Sequence, residues 1–232
     1  MSPPARVWIT RAEPGAARTA ARVRTLGLTP VVAPLLRIEP LAVETPPTPH
    51  DALVFTSPNG LAAWTAISPD RAAPVLAVGD ATARAAQAAG FGVVRSAGGD
   101  LNDLAALIRS DPALKGARLL HPGAETPAGD LNALVAGHAT VRALPVYRAV
   151  STGAQAPDGF DVVLIHSPRA GRALADALSP DQARGRQACA ISAAAAAPLT
   201  ALLAAIAVAA RPDETSLLAA LTACLGKPPG AV

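Results

Sequence analysis

Asp51-Ala52-Leu53-Val54-Phe55-Thr56-Ser57-Pro58-Asn59-Gly60 returns in altered form as Asp161-Val162-Val163-Leu164-Ile165-His166-Ser167-Pro168-Arg169-Ala170, 110 residues further along the chain. Each copy has an acidic residue, an apolar run long enough for one buried strand, a Ser-Pro turn, and an Ala/Leu-rich stretch with helical spacing. A strand that ends in Ser-Pro, with a helix following at once, aims several backbone N–H groups at one spot, because the first turn of a helix has no internal acceptors for them. Such a spot receives an anion without any special side chain. Two copies suggest two such spots for one ligand.

The repeat extends beyond this pair. Val75-Leu76-Ala77-Val78-Gly79-Asp80-Ala81-Thr82-Ala83 aligns with Ala188-Cys189-Ala190-Ile191-Ser192-Ala193-Ala194-Ala195-Ala196 at an offset of 113. Val7-Trp8-Ile9-Thr10-Arg11 aligns with Arg118-Leu119-Leu120-His121-Pro122, and Pro34-Leu35-Leu36-Arg37 with Pro145-Val146-Tyr147-Arg148, both at 111. Four pairs in one order with nearly constant offsets indicate a duplication, hence two units of roughly 110 residues within the 232.

A hydrophobic content of 51% is ample for burying cores, with only six aromatic residues contributing. The 18 Arg and 2 Lys leave a net charge of +3, scattered and without basic runs, which argues against a nucleic-acid surface and suits a small polyanionic ligand. Cys189 and Cys224 share no CxxC spacing and read as reduced thiols of a cytoplasmic protein. Val7–Ile9 is too short for the core of a signal peptide. Ala188 to Ala210 carries no charge over 23 residues, yet 13 are alanine and Pro198 interrupts it, so it reads as strand, turn and helix rather than a membrane span.

Short apolar runs alternate with helical patterns throughout. Val7–Ile9 leads to a helix ending near Leu26, Leu53–Phe55 to Gly60–Ile67, and Val75–Val78 to Thr82–Ala89. Arg118–Leu120 leads to Asp130–Ala136, Val162–Ile165 to Ala170–Leu178, and Cys189–Ile191 to Ala196–Ala205. Phe91–Val94 and Val208–Ala210 start two shorter units, whose helices open at Asp100 and Asp213. Gly27, Gly90 and Gly137 sit where helices close. The pattern predicts parallel sheets with helices on both faces. Polar loops at Glu44–His50 and Ser151–Asp158 follow the aligned segments at Pro34 and Pro145. The chain either crosses between units at those segments or divides simply near residue 115, and the residues alone leave both open.

Val-Trp-Ile-Thr10-Arg11, Val-Ala-Pro34-Leu35, Phe55-Thr56-Ser57-Pro58-Asn59-Gly60, Ala77-Val78-Gly79-Asp80-Ala81-Thr82-Ala83, Pro145-Val146-Tyr147-Arg148 and Ile191-Ser192-Ala193 together resemble the uroporphyrinogen-III synthase family over nearly the whole chain. The resemblance implies two flavodoxin-like parallel-sheet lobes joined by two crossing strands, with the active site in the inter-domain cleft. One domain would comprise residues 1–37 and 149–232, the other 38–148. It further implies a cyclising lyase that closes linear hydroxymethylbilane into uroporphyrinogen III, without metal or organic cofactor. Loss of the terminal hydroxyl as water would give an azafulvene cation. A spirocyclic pyrrolenine would then form, fragment and reclose with ring D inverted. The implied partners are the linear tetrapyrrole and, transiently, hydroxymethylbilane synthase, with neither nucleic acid nor membrane.

Eight substrate carboxylates suit strand-to-helix turns at Thr10, Ser57, Thr82, Ser167 and Ser192, each helix terminus favouring an anion by roughly 0.3–1 kcal/mol. Holding a flexible chain in one pose is chiefly an orientation effect. Pro58, Asn59, Pro168 and Ala193 belong to the same turns. Tyr147 matches the tyrosine of the family's Val-Tyr motif and is the candidate for assisting hydroxyl departure; the alternative is a strand aromatic bonded to backbone. Arg11, Arg169, Arg148 and its counterpart Arg37 are candidate carboxylate partners, although Arg148 and Arg37 also suit exposed strand positions. His50, His121, His138 and His166 share no ligand spacing, so a metal site is not expected. His166 stands where the family more often has a small or apolar residue. Ser192-Ala193-Ala194-Ala195 replaces a Gly-Pro-Thr-Thr-like turn, which leaves room for a second reading, a catalytically weak or inactive tetrapyrrole-binding protein.

Overall fold

The structure, a computed structural model, describes residues 3–43 and 49–226; most of the polar loop expected at Glu44–His50 lies outside them. In chain order the strands are β1 (Arg6–Ile9), β2 (Thr29–Val32), β3 (Leu36–Pro40), β4 (Ala52–Phe55), β5 (Val75–Ala77) and β6 (Val94–Ser96). They continue with β7 (Arg118–Ala124), β8 (Thr140–Ser151), β9 (Val162–Ile165), β10 (Gln187–Ala190) and β11 (Ala205–Val208). The helices are α1 (Gly15–Thr25), α2 (Pro58–Ile67), α3 (Asp80–Ala88), α4 (Leu101–Arg109) and α5 (Leu131–Leu134). After them come α6 (Pro168–Ala177), α7 (Pro180–Ala183), α8 (Ala193–Ala196) and α9 (Glu214–Cys224).

The chain divides into two compact units, Met1–Arg37 with Val150–Val232, and Ile38–Ala149. The first holds a parallel sheet in the order β11-β10-β9-β1-β2, and the second a sheet in the order β3-β8-β7-β4-β5-β6. Apart from β3, the second sheet is parallel as well. β3 runs against β8: Leu41 N–H donates to Val146 O and Thr152 N–H to Leu35 O, both at 3.0 Å, so numbering falls on one strand as it rises on the other.

The duplication explains the two orders. Under the offsets found in the sequence, β9, β10 and β1 correspond to β4, β5 and β7. The register agrees residue for residue in the central pair: Val163↔Ala188, Leu164↔Cys189 and Ile165↔Ala190 correspond to Leu53↔Val75, Val54↔Leu76 and Phe55↔Ala77. Each unit therefore combines the front of one repeat with the back of the other.

Every residue of β4 and β9 is buried, as expected of strands covered on both faces. Alternation decides which side each serves. Val7, Ile9, Val162, Leu164 and Cys189 pack with Ala16, Ala20 and Val23 of α1 and Leu217, Leu218 and Leu221 of α9. Trp8, Val163, Ile165, Ala188 and Ala190 pack on the other side with Ala170 and Leu174 of α6 and Leu199. In the second unit Ala52, Val54, Leu76 and Leu119 face Leu104 and Ile108 of α4. Leu53, Phe55, Val75 and Leu120 face Leu61 and Trp64 of α2.

Asp100 caps α4 in a capping box with Asp103, and Asp213 caps α9. Gly27, Gly90 and Gly137 take positive φ at helix ends. Several elements depart from the sequence reading, among them β6, which spans Val94–Ser96 rather than the expected Phe91–Val94. The helix expected over Ala196–Ala205 is instead α8 followed by a single 3-10 turn at Ala197–Leu199, because Pro198 has no N–H with which to extend an α-helix. β11 consequently lies at Ala205–Val208 rather than Val208–Ala210. β2, carrying Pro30, forms an edge strand, the position where a sheet tolerates a residue without a donor.

Candidate active site

In a parallel α/β sheet the loops that carry chemistry lie beyond the carboxyl ends of the strands. At that edge of the second unit, β4 passes through Thr56 and Ser57 into α2. Ser57 is extended (φ −159°, ψ 153°), its Oγ accepts the Gly60 N–H at 3.1 Å, and Pro58 takes the first helical position. Pro58 lacks an N–H and the side chain satisfies that of Gly60, so Asn59 N–H is the first-turn donor without an intrahelical acceptor. The helix can come close because position 60 is glycine: a Cβ there would lie 2.6 Å from Pro122 O of β7.

Tyr147 of β8 is 8% exposed, and its hydroxyl lies 3.1 Å from Ser57 Oγ. It is thus bonded to a side chain at a helix start and not to backbone. Beside it, Thr56 Oγ1 meets Nε2 of the buried His121 at 3.0 Å. Burial pushes the His121 pKa below the ordinary imidazole value and keeps the ring neutral near pH 7. Arg148 Nε donates to Glu39 Oε2 at 2.9 Å, a half-exposed pair across β8 and β3.

The first unit repeats the turn at Ser167, whose Oγ accepts the Ala170 N–H at 3.1 Å with Pro168 at the first helical position and Arg169 following. Ser192 Oγ accepts from Ala195 N–H at 3.3 Å, but α8, beginning at Ala193, has only four residues and hence little dipole.

Two predicted turns are corrected. Thr10 starts no helix: α1 begins only at Gly15, and the fully buried Thr10 hydroxyl donates to Leu164 O at 2.7 Å, tying β1 to β9. Thr82 is no cap either. Gly79 is the N-cap of α3, while Thr82 sits buried in the first turn with its N–H on Gly79 O at 3.0 Å.

Arg11 serves a network that the sequence reading missed. Its Nη1 lies 3.1 Å from Glu214 Oε2, which also receives His166 Nε2 at 3.0 Å, while Thr19 Oγ1 donates to Glu214 Oε1 at 2.6 Å. Burial alone would raise the Glu214 pKa. The hydrogen bonds from His166 and from the Thr19 hydroxyl, with the Arg11 guanidinium, outweigh it and hold the carboxyl at about 2. Burial, reinforced by the Arg11 charge, pushes His166 below its ordinary value despite the Glu214 hydrogen bond. We therefore read His166 as a neutral donor to an ionised Glu214. Its Nδ1, buried without a partner among the described residues, suits an unprotonated nitrogen.

The repeat supplies the signal that would have exposed part of this. Thr10 aligns with His121 and Thr56 with His166, so each unit carries one Thr and one His at the same two strand ends, with the positions exchanged. Among the described residues no group of three or more His, Cys, Asp or Glu could hold a metal ion, and no helix is long and apolar enough to cross a membrane.

The molecule is thus a duplicated α/β protein in which Ser-Pro-capped helices start beyond the carboxyl ends of parallel strands. The chain belongs to the uroporphyrinogen-III synthase family: the family model HEM4, described as uroporphyrinogen-III synthase HemD, matches residues 17–219. The fold is similar to that of uroporphyrinogen-III synthetase from Helicobacter pylori 26695, with a TM-score of 0.65 and 17% identity over 96% of this chain and 99% of that one. It is also similar to a mutant uroporphyrinogen III synthase from the extremely thermophilic bacterium Thermus thermophilus, with a TM-score of 0.55 and 18% identity over 97% of this chain and 100% of that one. No curated protein sequence matches the chain. The family is one of cyclising lyases of tetrapyrrole biosynthesis, and this chain is an enzyme of that kind.

Proposed function

We propose that the chain binds hydroxymethylbilane through its carboxylates and uses Tyr147 to assist departure of the terminal hydroxyl. The observation that carries this reading is the position of the only tyrosine: its hydroxyl lies 3.1 Å from Ser57 Oγ at the start of α2. There a polar O–H stands beside a terminus that attracts carboxylates.

In the proposed sequence the C–O bond breaks as Tyr147 hydrogen-bonds the leaving oxygen, which departs as water. The azafulvene cation is attacked by the substituted α-carbon of ring D to give the spirocyclic pyrrolenine. Fragmentation and reclosure through the free α-carbon invert the ring and release a proton. Uncatalysed closure skips the inversion, so the protein must favour one transition state over an easy competitor. Fixing the pose is the larger part of that task, and the Ser57-Pro58-Asn59 turn with the half-exposed Arg148 guanidinium, and separately the Ser167-Pro168-Arg169 turn, are candidate receptors for carboxylates. Ser192 and Ala193 offer a weaker receptor.

A cytoplasmic setting accords with two free cysteines. A transient contact with hydroxymethylbilane synthase accords with a substrate that closes unaided in solution.

The test is the isomer ratio of porphyrin formed, after oxidation, from freshly generated hydroxymethylbilane without added metal or nucleotide. The type III isomer is expected to predominate. Type I alone, as in the control without enzyme, would leave a tetrapyrrole binder.

A further inference from the structure

We propose that Ser57 is a positioning residue for Tyr147: it holds the phenol and, by donating to it, makes the phenol a better donor toward the departing hydroxyl. The proposal rests on the reading of Tyr147 given above and adds the group through which α2 acts on it.

A serine hydroxyl has one proton and can accept twice. Gly60 N–H, which can only donate, occupies one acceptor site of Ser57 Oγ at 3.1 Å. The Ser57 proton is then available for the Tyr147 oxygen, also 3.1 Å away. In the reverse arrangement Tyr147 would commit its only proton to Ser57 and have none for substrate. With Ser57 donating, the chain Gly60 N–H, Ser57 O–H, Tyr147 O–H runs outward from the positive end of α2. Successive hydrogen bonds of one sense polarise one another, and the helix terminus favours the negative charge that grows on the phenol oxygen as it gives up its proton. That proton leaves with the hydroxyl as water. The proton released from ring D on reclosure, or one from solvent, restores the phenol, so the cycle balances.

The chain contains its own comparison. Ser167 caps Ala170 at the same 3.1 Å, yet the position matching Tyr147 across the repeat is Leu36, a buried core residue. The Ser-Pro cap is therefore common to both units, whereas the coupling to a phenol belongs to one. Helix capping alone does not require Tyr147.

The test combines a double-mutant cycle with a spectroscopic readout. Ser57→Ala should lower kcat about tenfold, the size of one net hydrogen bond, with little change in KM. In a Tyr147→Phe background the same change should cost less than about twofold, because the group it acts through is gone. Ser57→Thr, which keeps the hydroxyl, should restore most of the rate. Ser57→Gly caps a helix nearly as well as serine, so its loss of rate should match that of Ser57→Ala in a fully folded protein.

With one tyrosine in the chain, the Raman Fermi doublet reports this phenol alone, and Ser57→Ala should reduce its acceptor character. An unchanged doublet, or equal losses with and without the Tyr147→Phe change, would return Ser57 to the role of a plain helix cap. Full turnover by Tyr147→Phe would overturn this proposal together with the reading of Tyr147, even if the doublet still registered the hydrogen bond. Loss of type III selectivity in the unaltered protein would overturn the function itself.

Discussion

At the scale of single residues, Glu214 gathers Arg11, Thr19 and His166 around one carboxylate, and protons should therefore weigh on stability in two stages. His166 and His121 have pKa values lowered from 6.5, so between that value and their folded values the unfolded chain binds more protons than the folded one. Their contribution is complete above about pH 6.5 and is lost as pH falls through the lower folded values. Glu214, lowered from 4.5 to about 2, contributes fully above pH 4.5 and loses that contribution as pH falls toward 2. Urea unfolding from pH 8 down to 3 should show a decline beginning near 6.5 and steepening below 4.5; constant stability between pH 7 and 5 would contradict the buried neutral histidines. Of this network the sequence carried a signal only for His166, through its alignment with Thr56 across the repeat; the pairing of Arg11 with Glu214, 203 positions apart, was not legible. Tyr147 could be picked out as the sole tyrosine of a Val-Tyr pair, but its pairing with Ser57, 90 positions away, could not. The hydroxyls at Ser57, Ser167 and Ser192 were readable as caps because a cap is local: it depends on the residues three ahead.

At the scale of elements, the close approach of α2 to β7 places Ser57 and through it Tyr147. Gly60→Ala would set a methyl 2.6 Å from Pro122 O, a backbone atom with little freedom to yield. A loss of about 1–3 kcal/mol is expected from such overpacking. Thermal and urea unfolding measure it directly, and unchanged stability would show that the helix can slide. Turnover should fall as well if the displaced helix carries Ser57 away from the phenol. The strands were legible from their apolar runs because the central ones are buried on both faces. β2 was not, since Thr29-Pro30-Val31-Val32 mixes a breaker with a short apolar pair. α8 was read too long because alanine has strong helix propensity, whereas Pro198 and packing beneath Leu199 decide otherwise.

At the scale of the whole molecule, one unit is continuous in sequence and the other is not. Residues 38–149 expressed alone should fold, since β4–β8 and the helices packed on them all lie within that span. Residues 1–115 should not, because they keep β1 and β2 without β9, and β4–β6 without β7. Better NMR dispersion from 1–115 than from 38–149 would contradict this. The same arrangement bears on synthesis. β1 is an interior strand of its sheet, and its Val7 pairs with Val162. At roughly 5–20 residues per second, a ribosome needs about 8–30 s to supply that partner. Throughout this interval β1 waits, apolar and with only β2 available to pair on one side, while the unit begun later completes itself first. Between the two units the order of folding is thus opposite to the order in which they begin to emerge, and the segment carrying β1 and β2 is exposed to chaperones and proteases until β9 is made.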